Sequence, residues 1–393
     1  MHNGKSFIDL YKTTKSIILF GSGDIATKTI SKLPKNRIDF IVDNSTNLQG
    51  TRFKNYNIKD PGFIKDKHFV IICSTAILDI SNQLEGMGLV GGIDYAVSPI
   101  LNDLTAISEL EGLKKTIYFT SGTVAKDEYG GGLYKCNVDG SEVSVERLYS
   151  GPCYGMVERE GEILFIDTDN GIFLYDNKSV VKVGVLPSGS RAHGISYNET
   201  NKKYYITCSY LDAILEMNSN FSITNTFYLS DKIKATNEPM HHCNDNIAIG
   251  NSLYVSMFSS TGNWKKDCFD GCIAEFDIES GTRLGDVCSG LYMPHNVKSI
   301  NGSLHVLDSL PGHLRYGNLS IQGTFPGFTR GLAFSRGFYY IGQSKNRNYS
   351  RVLGVSNNIS IDCGIVVFDP NMNTSRFLQF PPKIGEIHSI SVV

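Results

Sequence analysis

The pattern of hydrophobic and polar positions changes near residue 114, and the change divides the chain into two parts. Before it, short apolar runs alternate with stretches of helical periodicity, which predicts a parallel sheet with crossover helices. After it, short β-type runs are separated by Gly, Asn and Asp. We therefore expect a small α/β domain at residues 1–108 and a larger all-β domain at residues 114–393.

The β pattern recurs six times, which favours a propeller over a sandwich or a barrel. The second strands of the six units begin at Ile117, Ile163, Tyr204, Leu253, Leu304 and Tyr339. Five units have a local first strand, and the unit at Ile117 lacks one. The segment His388–Val393 has the missing pattern. We predict a six-bladed β-propeller closed by this C-terminal strand, because the closure removes exposed sheet edges.

The first residues of the innermost strands indicate a site on the channel. In chain order they are Tyr154, His193, the segment His242–Asp245, His295, Arg330 and His388. Three histidines, His193, His295 and His388, fall on alternate blades, so their imidazoles should converge on the axis. Three imidazoles with open positions suit a divalent metal, zinc above all. The alternative is that each histidine is a hydrogen-bonded packing residue.

Other inner positions supply candidate catalytic groups. Tyr154 or Asp245 would move a proton, and Arg330 would hold a carboxylate or a phosphate. The fourth inner position is ambiguous by one or two residues. Asn244 matches the spacing to the next strand, whereas Asp245 better matches the apolar phase. His242 is a further candidate ligand or a neighbour of one.

Two long loops join the second and third strands of their blades and should overhang the histidines. Their aromatic and cationic residues are Trp264, Lys265 and Lys266 in loop 259–271, and Lys345, Arg347 and Arg351 in loop 344–363. An aromatic ring with several cations suits a sugar or carboxylate ligand. Ordinary solvated loops have the same composition.

The first domain contains a glycine-rich turn between an apolar run and a helical pattern. In Gly21-Ser-Gly23-Asp-Ile-Ala26 the backbone can approach a phosphate at a helix N-terminus, and Asp43 stands where a ribose hydroxyl is bound. This pattern predicts a bound nucleotide. The domain is too short for a complete dinucleotide site, so a docking or assembly role, including oligomerisation through this domain, is the alternative.

Composition narrows the partners and the compartment. The net charge of -2 gives no electrostatic reason to expect nucleic acid or an anionic membrane. The N-terminal residues lack the apolar run of a signal peptide, and no stretch of 18 apolar residues occurs. We therefore expect a cytoplasmic protein without a membrane span, in which the scattered cysteines are small buried residues.

Two resemblances add expectations. Met293-Pro-His-Asn-Val and Pro326-Gly-Phe-Thr-Arg-Gly-Leu resemble an uncharacterised bacterial family of six-bladed propellers, which implies no activity. The first domain resembles the small Rossmann-like domains of bacterial proteins that build or modify surface sugars, which implies a nucleotide-sugar ligand.

The expected site geometry is also similar to that of peptidyl-hydroxyglycine amidating lyase. This similarity implies zinc ligands at His193, His295 and His388, with Tyr154 as the base and Arg330 as the anion-binding group. A common fold does not by itself imply a common function.

Three functions follow from these patterns. The first is a metal-dependent lyase, epimerase or hydrolase acting on a sugar or nucleotide-sugar during surface-glycan synthesis. The second is a non-catalytic propeller that binds a glycan or a protein. The third is an NAD-dependent sugar oxidoreductase that uses Gly21, Gly23 and Asp43.

Overall fold

The structure, a computed structural model, describes residues 7–122, 130–266, 268–317, 319–345 and 359–393. The chain forms two compact units, Met1–Leu113 and Lys114–Val393. Arg347 and Arg351, which we predicted to overhang the channel, lie outside the described residues.

The first unit is built on a mixed six-stranded sheet. Its strands are β1 (Ser16–Phe20), β2 (Ile38–Val42), β3 (Arg52–Phe53), β4 (Tyr56–Lys59), β5 (His68–Ile72) and β6 (Tyr95–Val97). Its helices are α1 (Phe7–Tyr11), α2 (Asp24–Lys32), α3 (Ile77–Gly86) and α4 (Asn102–Glu111). The strand order is β3-β4-β2-β1-β5-β6, in which only the β3–β4 pair is antiparallel. The sequence pattern did not reveal β3 and β4.

Both faces of this sheet are buried, which explains why β1 is apolar at successive positions. Ile18 and Phe20 belong to one core cluster, whereas Ile17 and Leu19 belong to the other. Helix α3 contributes to the first cluster and α2 to the second. A parallel strand covered on both faces has this continuous hydrophobic run instead of alternation.

The second unit consists of six antiparallel four-stranded sheets arranged as a six-bladed β-propeller, as the repeats predicted. The first blade holds β10 (Cys153–Arg159), β11 (Glu162–Asp167), β12 (Gly171–Tyr175) and β13 (Val180–Gly184), and the second holds β14 (Ala192–Asn198), β15 (Lys203–Cys208), β16 (Ala213–Met217) and β17 (Ile223–Tyr228). The third holds β18 (Cys243–Ile249), β19 (Ser252–Met257), β20 (Gly271–Asp277) and β21 (Arg283–Leu291), and the fourth holds β22 (Pro294–Ile300), β23 (Ser303–Asp308), β24 (His313–Tyr316) and β25 (Ser320–Thr324). The fifth holds β26 (Phe328–Ser335), β27 (Phe338–Ser344), β28 (Gly364–Asp369) and β29 (Thr374–Gln379). A short helix, α5 (Lys232–Thr236), precedes the third of these blades.

The last blade combines the beginning and the end of this unit. It holds β7 (Lys114–Ser121), β8 (Gly132–Asp139), β9 (Glu142–Ser150) and, innermost, β30 (Ser389–Val392). Ser389 lies opposite Thr120 and Val392 opposite Ile117 in an antiparallel register. The C-terminal strand therefore occupies the position that the repeat pattern left empty.

The propeller core lies between neighbouring blades. One cluster joins Tyr205 and Phe227 of one blade to Val255, Met257 and Phe276 of the next. Such interfaces hold the sheets in place, so the inner strands have fixed positions around the channel.

Closure by β30 makes a testable contribution to stability. Ile390 is 5% exposed and lies against Gly331 of the adjacent blade, whereas Val393 is 66% exposed. We expect Ile390→Ala to lower the free energy of unfolding by about 2–5 kcal/mol, because it removes a buried branched side chain. Urea denaturation would measure the loss. The matched variant Val393→Ala should change stability by less than about 0.5 kcal/mol, and equal losses in the two variants would contradict this role of the strand.

Candidate functional site

A cavity of about 390 Å³ lies where the innermost strands begin. Every blade contributes a side chain to its lining. The six are Tyr154, His193, Asn244, His295, Arg330 and His388. His242, Trp264 and Lys345 also line the cavity. The structure thus brings together most of the residues singled out in the sequence. At the ambiguous fourth position, both His242 and Asn244 line the cavity.

Local irregularities in the inner strands direct these side chains. The pairing of β10 with β11 slips between Cys153 and Met156, and that of β14 with β15 slips between Ala192 and Gly194. A β-bulge bends the strand and redirects a side chain. Tyr154 and His193 lie within these two irregular segments, so their rings leave the regular alternation of the strand.

His193 presents an unprotonated nitrogen to the cavity. Its Nδ1 lies 3.1 Å from Asn244 Oδ1, and the Asn244 amide nitrogen donates to the carbonyl oxygens of His242 and Pro294. These two bonds fix the orientation of the amide, so Nδ1 carries the proton and Nε2 carries the lone pair. Among the described residues, buried Nε2 has no hydrogen-bond partner. Burial, followed by the charges of His242 and His388, holds the pKa of His193 well below 6.5.

His295 has the same tautomer for a different reason. Its Nδ1 donates to the carbonyl oxygen of Met293 at 2.9 Å and lies 2.8 Å from Ser309 Oγ. A backbone carbonyl only accepts, so Nε2 is the unprotonated nitrogen. Burial and the charge of Arg330 hold the pKa of His295 well below 6.5.

His388 differs from these two histidines because a carboxylate holds it. Its Nε2 lies 3.0 Å from Glu386 Oε2, and the other carboxylate oxygen lies 3.4 Å from Arg330 Nη1. Glu386 is buried and lines the cavity. Glu386 was not among the residues predicted from the sequence. Its position two residues before a candidate histidine was the available signal, since alternation places both side chains on one side of an extended chain.

Aromatic rings form one wall of the cavity. Tyr154 stacks on His193 at 4.7 Å between ring centroids and contacts His388 at 4.2 Å. His242 stacks on Phe258 and meets the edge of Trp264. Burial lowers the pKa of His242 to about 3, so this ring is neutral. His242 Nδ1 and Trp264 Nε1 are buried without a hydrogen-bond partner among the described residues.

The remaining charged residues give the cavity a positive character. Arg191, Arg330 and Lys345 line it, and Glu386 is the only carboxylate among the described lining residues. Burial lowers the pKa of Arg330 to about 10, still well above neutral pH. Arg191 was not singled out in the sequence, because it precedes the inner strand.

Asp245 lies outside this lining, contrary to its proposed role in proton transfer. Its Oδ2 accepts a hydrogen bond from Asn296 Nδ2 and its Oδ1 accepts one from the Asn246 amide, both at 3.0 Å. Burial raises its pKa. The alternation of apolar residues favoured Asp245 at the cavity. The strand pairing slips between Cys243 and Asp245, and this bulge leaves Asn244 facing the cavity instead.

The three predicted metal ligands fit an ion only in part. His193 and His295 direct lone pairs at the cavity, and the proton on the other nitrogen of each ring is held, as in many histidine ligands. His388 Nε2 is occupied by Glu386. No group of three His, Cys, Asp or Glu side chains within the described ranges is placed to hold a metal ion.

In the first unit, the predicted nucleotide residues meet at one loop. Gly21 has φ +104°, and a Cβ there would lie 3.0 Å from the Cys73 carbonyl oxygen. A Cβ at Gly23 would meet nothing within 4 Å, so this position is open. Asp43 Oδ2 accepts hydrogen bonds from Ser22 Oγ at 2.7 Å and from the Ser22 amide at 3.1 Å. The loop is therefore already braced by the carboxylate assigned to a ribose.

None of the described helices has the length and apolar character that crossing a bilayer requires.

The tautomers of the cavity histidines are directly measurable. At neutral pH, ¹⁵N NMR should show His193 and His295 protonated at Nδ1 and unprotonated at Nε2. Asn244→Leu removes the acceptor beside His193, so we expect a mixture of its two tautomers. His295 is the internal control and should keep its tautomer. A predominant Nε2–H form of His193 in the unmodified protein would contradict the assignment.

Solved structures with a low overall similarity to this chain include two gluconolactonases. The chain is similar to a periplasmic gluconolactonase of Pseudomonas aeruginosa, with 12% identity and a TM-score of 0.44 over 72% of this chain and 99% of that one. It is also similar to a gluconolactonase of Xanthomonas campestris, with 13% identity and a TM-score of 0.43 over 69% and 87%. Similarities this low carry no argument about function.

A search of curated proteins found no match. Residues 155–393, which include all the inner strands except the start of β10 and most of the cavity residues, match the model of one protein family. The chain belongs to the family described as a domain of unknown function, DUF4915.

Proposed function

We propose that the channel cavity is the active site of an acid–base enzyme, a lyase, epimerase or hydrolase, acting on a small sugar-type molecule. The observation that carries the proposal is His193 Nε2, a buried and unprotonated nitrogen that faces the cavity without a hydrogen-bond partner among the described residues. A buried polar atom without a partner costs free energy that a merely structural histidine avoids. A reacting substrate would supply the missing partner.

The neighbours of His193 suit a base. Asn244 fixes the ring orientation, and stacking on Tyr154 limits its rotation. A general base must lie within hydrogen-bond reach of the proton it removes, with its lone pair directed at that proton. His193 would take a proton from a substrate carbon or from water, while the Tyr154 hydroxyl or a second imidazole returns one.

The cavity dimensions and surfaces suit a sugar. A volume of about 390 Å³ accommodates a small molecule. Phe258 and Trp264 offer apolar ring surfaces to the C–H groups of a pyranose, and the polar groups of the lining suit its hydroxyls. Surface-glycan synthesis, with a nucleotide-sugar as the larger substrate, is the context that the Rossmann-like resemblance of the first domain favours.

A divalent metal, zinc above all, is the alternative use of the same lone pairs, because His193 Nε2 cannot bind an ion and take a proton at once; with the ion bound, Tyr154 would move the proton. His193 and His295 would hold it, and His388 would join them after release from Glu386. When bound, such an ion polarises a substrate oxygen or lowers the pKa of a bound water.

Two other functions remain distinguishable. A non-catalytic glycan- or protein-binding propeller would bind through the same aromatic wall without needing His193. An NAD-dependent sugar oxidoreductase would require the loop at Gly21 and Gly23 to bind the cofactor.

Proton transfer by His193 is testable with candidate sugars in D₂O. ¹H NMR follows both the loss of a substrate C–H signal and the formation of product. We expect His193→Gln to slow the active reaction by about 10²–10⁴-fold, the usual contribution of a general base. His313→Gln is the control, because His313 lies outside the cavity lining. Equal rates in the His193 and His313 variants would reject the assignment of the base.

Metal dependence has a separate test. In the metal-bound alternative, protein purified without chelator contains about one divalent ion per chain by mass spectrometry, and the His193→Ala, His295→Ala double variant contains little, since two ligands are lost. His313→Ala should retain the ion. Metal-free wild type would remove the ion from the proposal and leave the imidazole base in place.

Nucleotide binding by the first unit is tested at Gly23, where a side chain meets no protein atom within 4 Å. We expect ADP, NAD or UDP-glucose to raise the melting temperature of the wild type but not of Gly23→Val, because the valine fills the space that a phosphate would occupy. Without ligand, Gly23→Val should melt near the wild-type temperature. Gly21→Val should be less stable, given its positive φ and close carbonyl. The absence of any shift in the wild type would reject a nucleotide role.

A further inference from the structure

We infer that the cavity is specific for a small molecule that carries an oxyanion, a carboxylate or a phosphate, bound between Arg191 and Arg330. This inference rests on the proposed function only in taking the cavity as the ligand site. It makes the anion expected at Arg330 the basis of specificity, and it adds a second contact, Arg191, that no sequence pattern indicated.

The charged side chains of the cavity lining favour an anionic ligand. Three cationic side chains, those of Arg191, Arg330 and Lys345, face one carboxylate, that of Glu386, among the described lining residues. Lys345 Nζ already donates to the Pro382 carbonyl oxygen at 2.8 Å. Lys345 keeps its charge, so the described lining retains an excess of positive charge around a partly enclosed space, where a bound anion would be stabilising.

The charge of Arg330 is only weakly paired with a carboxylate. Its Nη1 lies 3.4 Å from Glu386 Oε1, longer than the 2.7–2.9 Å or so that a strong charge-assisted bond has. Glu386 also serves His388. Arg330 Nε is buried without a hydrogen-bond partner among the described residues, and the guanidinium lies 4.6 Å from the centre of the Phe328 ring. The side chain thus has N–H groups available for an oxyanion.

Arg191 is held in place by the fold. Its φ of +45° is left-handed, like the φ of His242 and Met293, which also lie two residues before an inner cavity residue, so this turn is a repeated feature of the blades. The Arg191 carbonyl oxygen accepts bonds from the Ser209 amide and hydroxyl, both at 3.1 Å, which hold this conformation. The guanidinium packs against Tyr210 and lines the cavity. Two residues before the candidate base, a fixed cation is therefore directed at the ligand space.

Two buried hydrogen-bond donors of the cavity also call for a ligand with acceptors. Trp264 Nε1 and Arg330 Nε carry protons and are buried without acceptors among the described residues. Both groups only donate. A ligand that satisfies them must supply acceptors, and a carboxylate or phosphate has the highest density of acceptors for its size.

Three probes with the same ring separate the possibilities: D-glucuronate, D-glucose 6-phosphate and neutral D-glucose. Isothermal titration calorimetry should show binding of at least one anion to the wild type. D-glucose should bind at least tenfold more weakly. Preference between the two anions identifies whether a carboxylate or a phosphate is the group bound.

The variants locate the anion. Arg191→Gln and Arg330→Gln should each weaken binding of that anion at least tenfold, whereas Arg283→Gln, which removes a cation outside the cavity lining, should leave it within about threefold. Arg330→Lys keeps the charge but loses the planar fork and should bind with intermediate affinity. Circular dichroism verifies folding, and if the Arg330 variants do not fold, the Arg191 variant decides.

Failure of the inference differs from failure of the proposed enzyme. His193→Gln should keep the preference for the anion over D-glucose, because the two arginines that bind the anionic group are unchanged. The inference is overturned if neither anion binds, if D-glucose binds equally well, or if Arg191→Gln binds as the wild type does. Arginine-dependent binding with an unchanged rate in His193→Gln would instead reject His193 as the base, and arginine-dependent binding without turnover of any candidate sugar would overturn the enzyme; both outcomes leave the oxyanion site standing.

Discussion

The close approach of neighbouring innermost strands around the channel is the constraint on which the rest of the propeller depends. A Cβ at Gly155 would lie 2.5 Å from the His193 carbonyl oxygen, and one at Gly194 would lie 2.8 Å from that of Asn244. Glycine is therefore required directly after Tyr154 and after His193. The residues before these glycines, Tyr154 and His193, line the cavity.

This crowding also sets the electrostatics. Imidazoles gathered in a space shielded from water stay neutral, because desolvation and the two nearby guanidinium groups both oppose protonation. A neutral imidazole with its Nδ1 proton bound elsewhere has one lone pair to offer, either to a proton or to a metal ion. Glu386 is divided between Arg330 and His388, so one carboxylate couples a cation to the C-terminal strand.

The two units use glycine and carboxylate in contrasting ways. In the propeller, glycines allow backbones to meet and leave the side chains to form the site. In the first unit, Gly23 leaves open space at a helix start, while Asp43 braces the loop through Ser22. The spacing from Gly21 to Asp43 is compatible with a hydrogen bond from Ser22 to Asp43 and also with a contact to a ribose, because both roles require a carboxylate at the same end of the strand.

The sequence by itself determined the six blades, the missing strand and the residues that begin the inner strands, since each follows from a local repeat of period two and its turns. Tertiary structure decided which of those residues face the cavity. At the fourth position the bulge in β18 turned Asn244 inward and Asp245 into a hydrogen-bonded pair with Asn296, which no phase of alternation could reveal. Glu386 and Arg191 reach the cavity from outside the strands, where side-chain direction depends on long-range packing. The histidine tautomers likewise depend on hydrogen-bond acceptors that can be distant in the sequence. His193 is fixed by Asn244, which lies in the next blade, so only the folded chain assigns its tautomer.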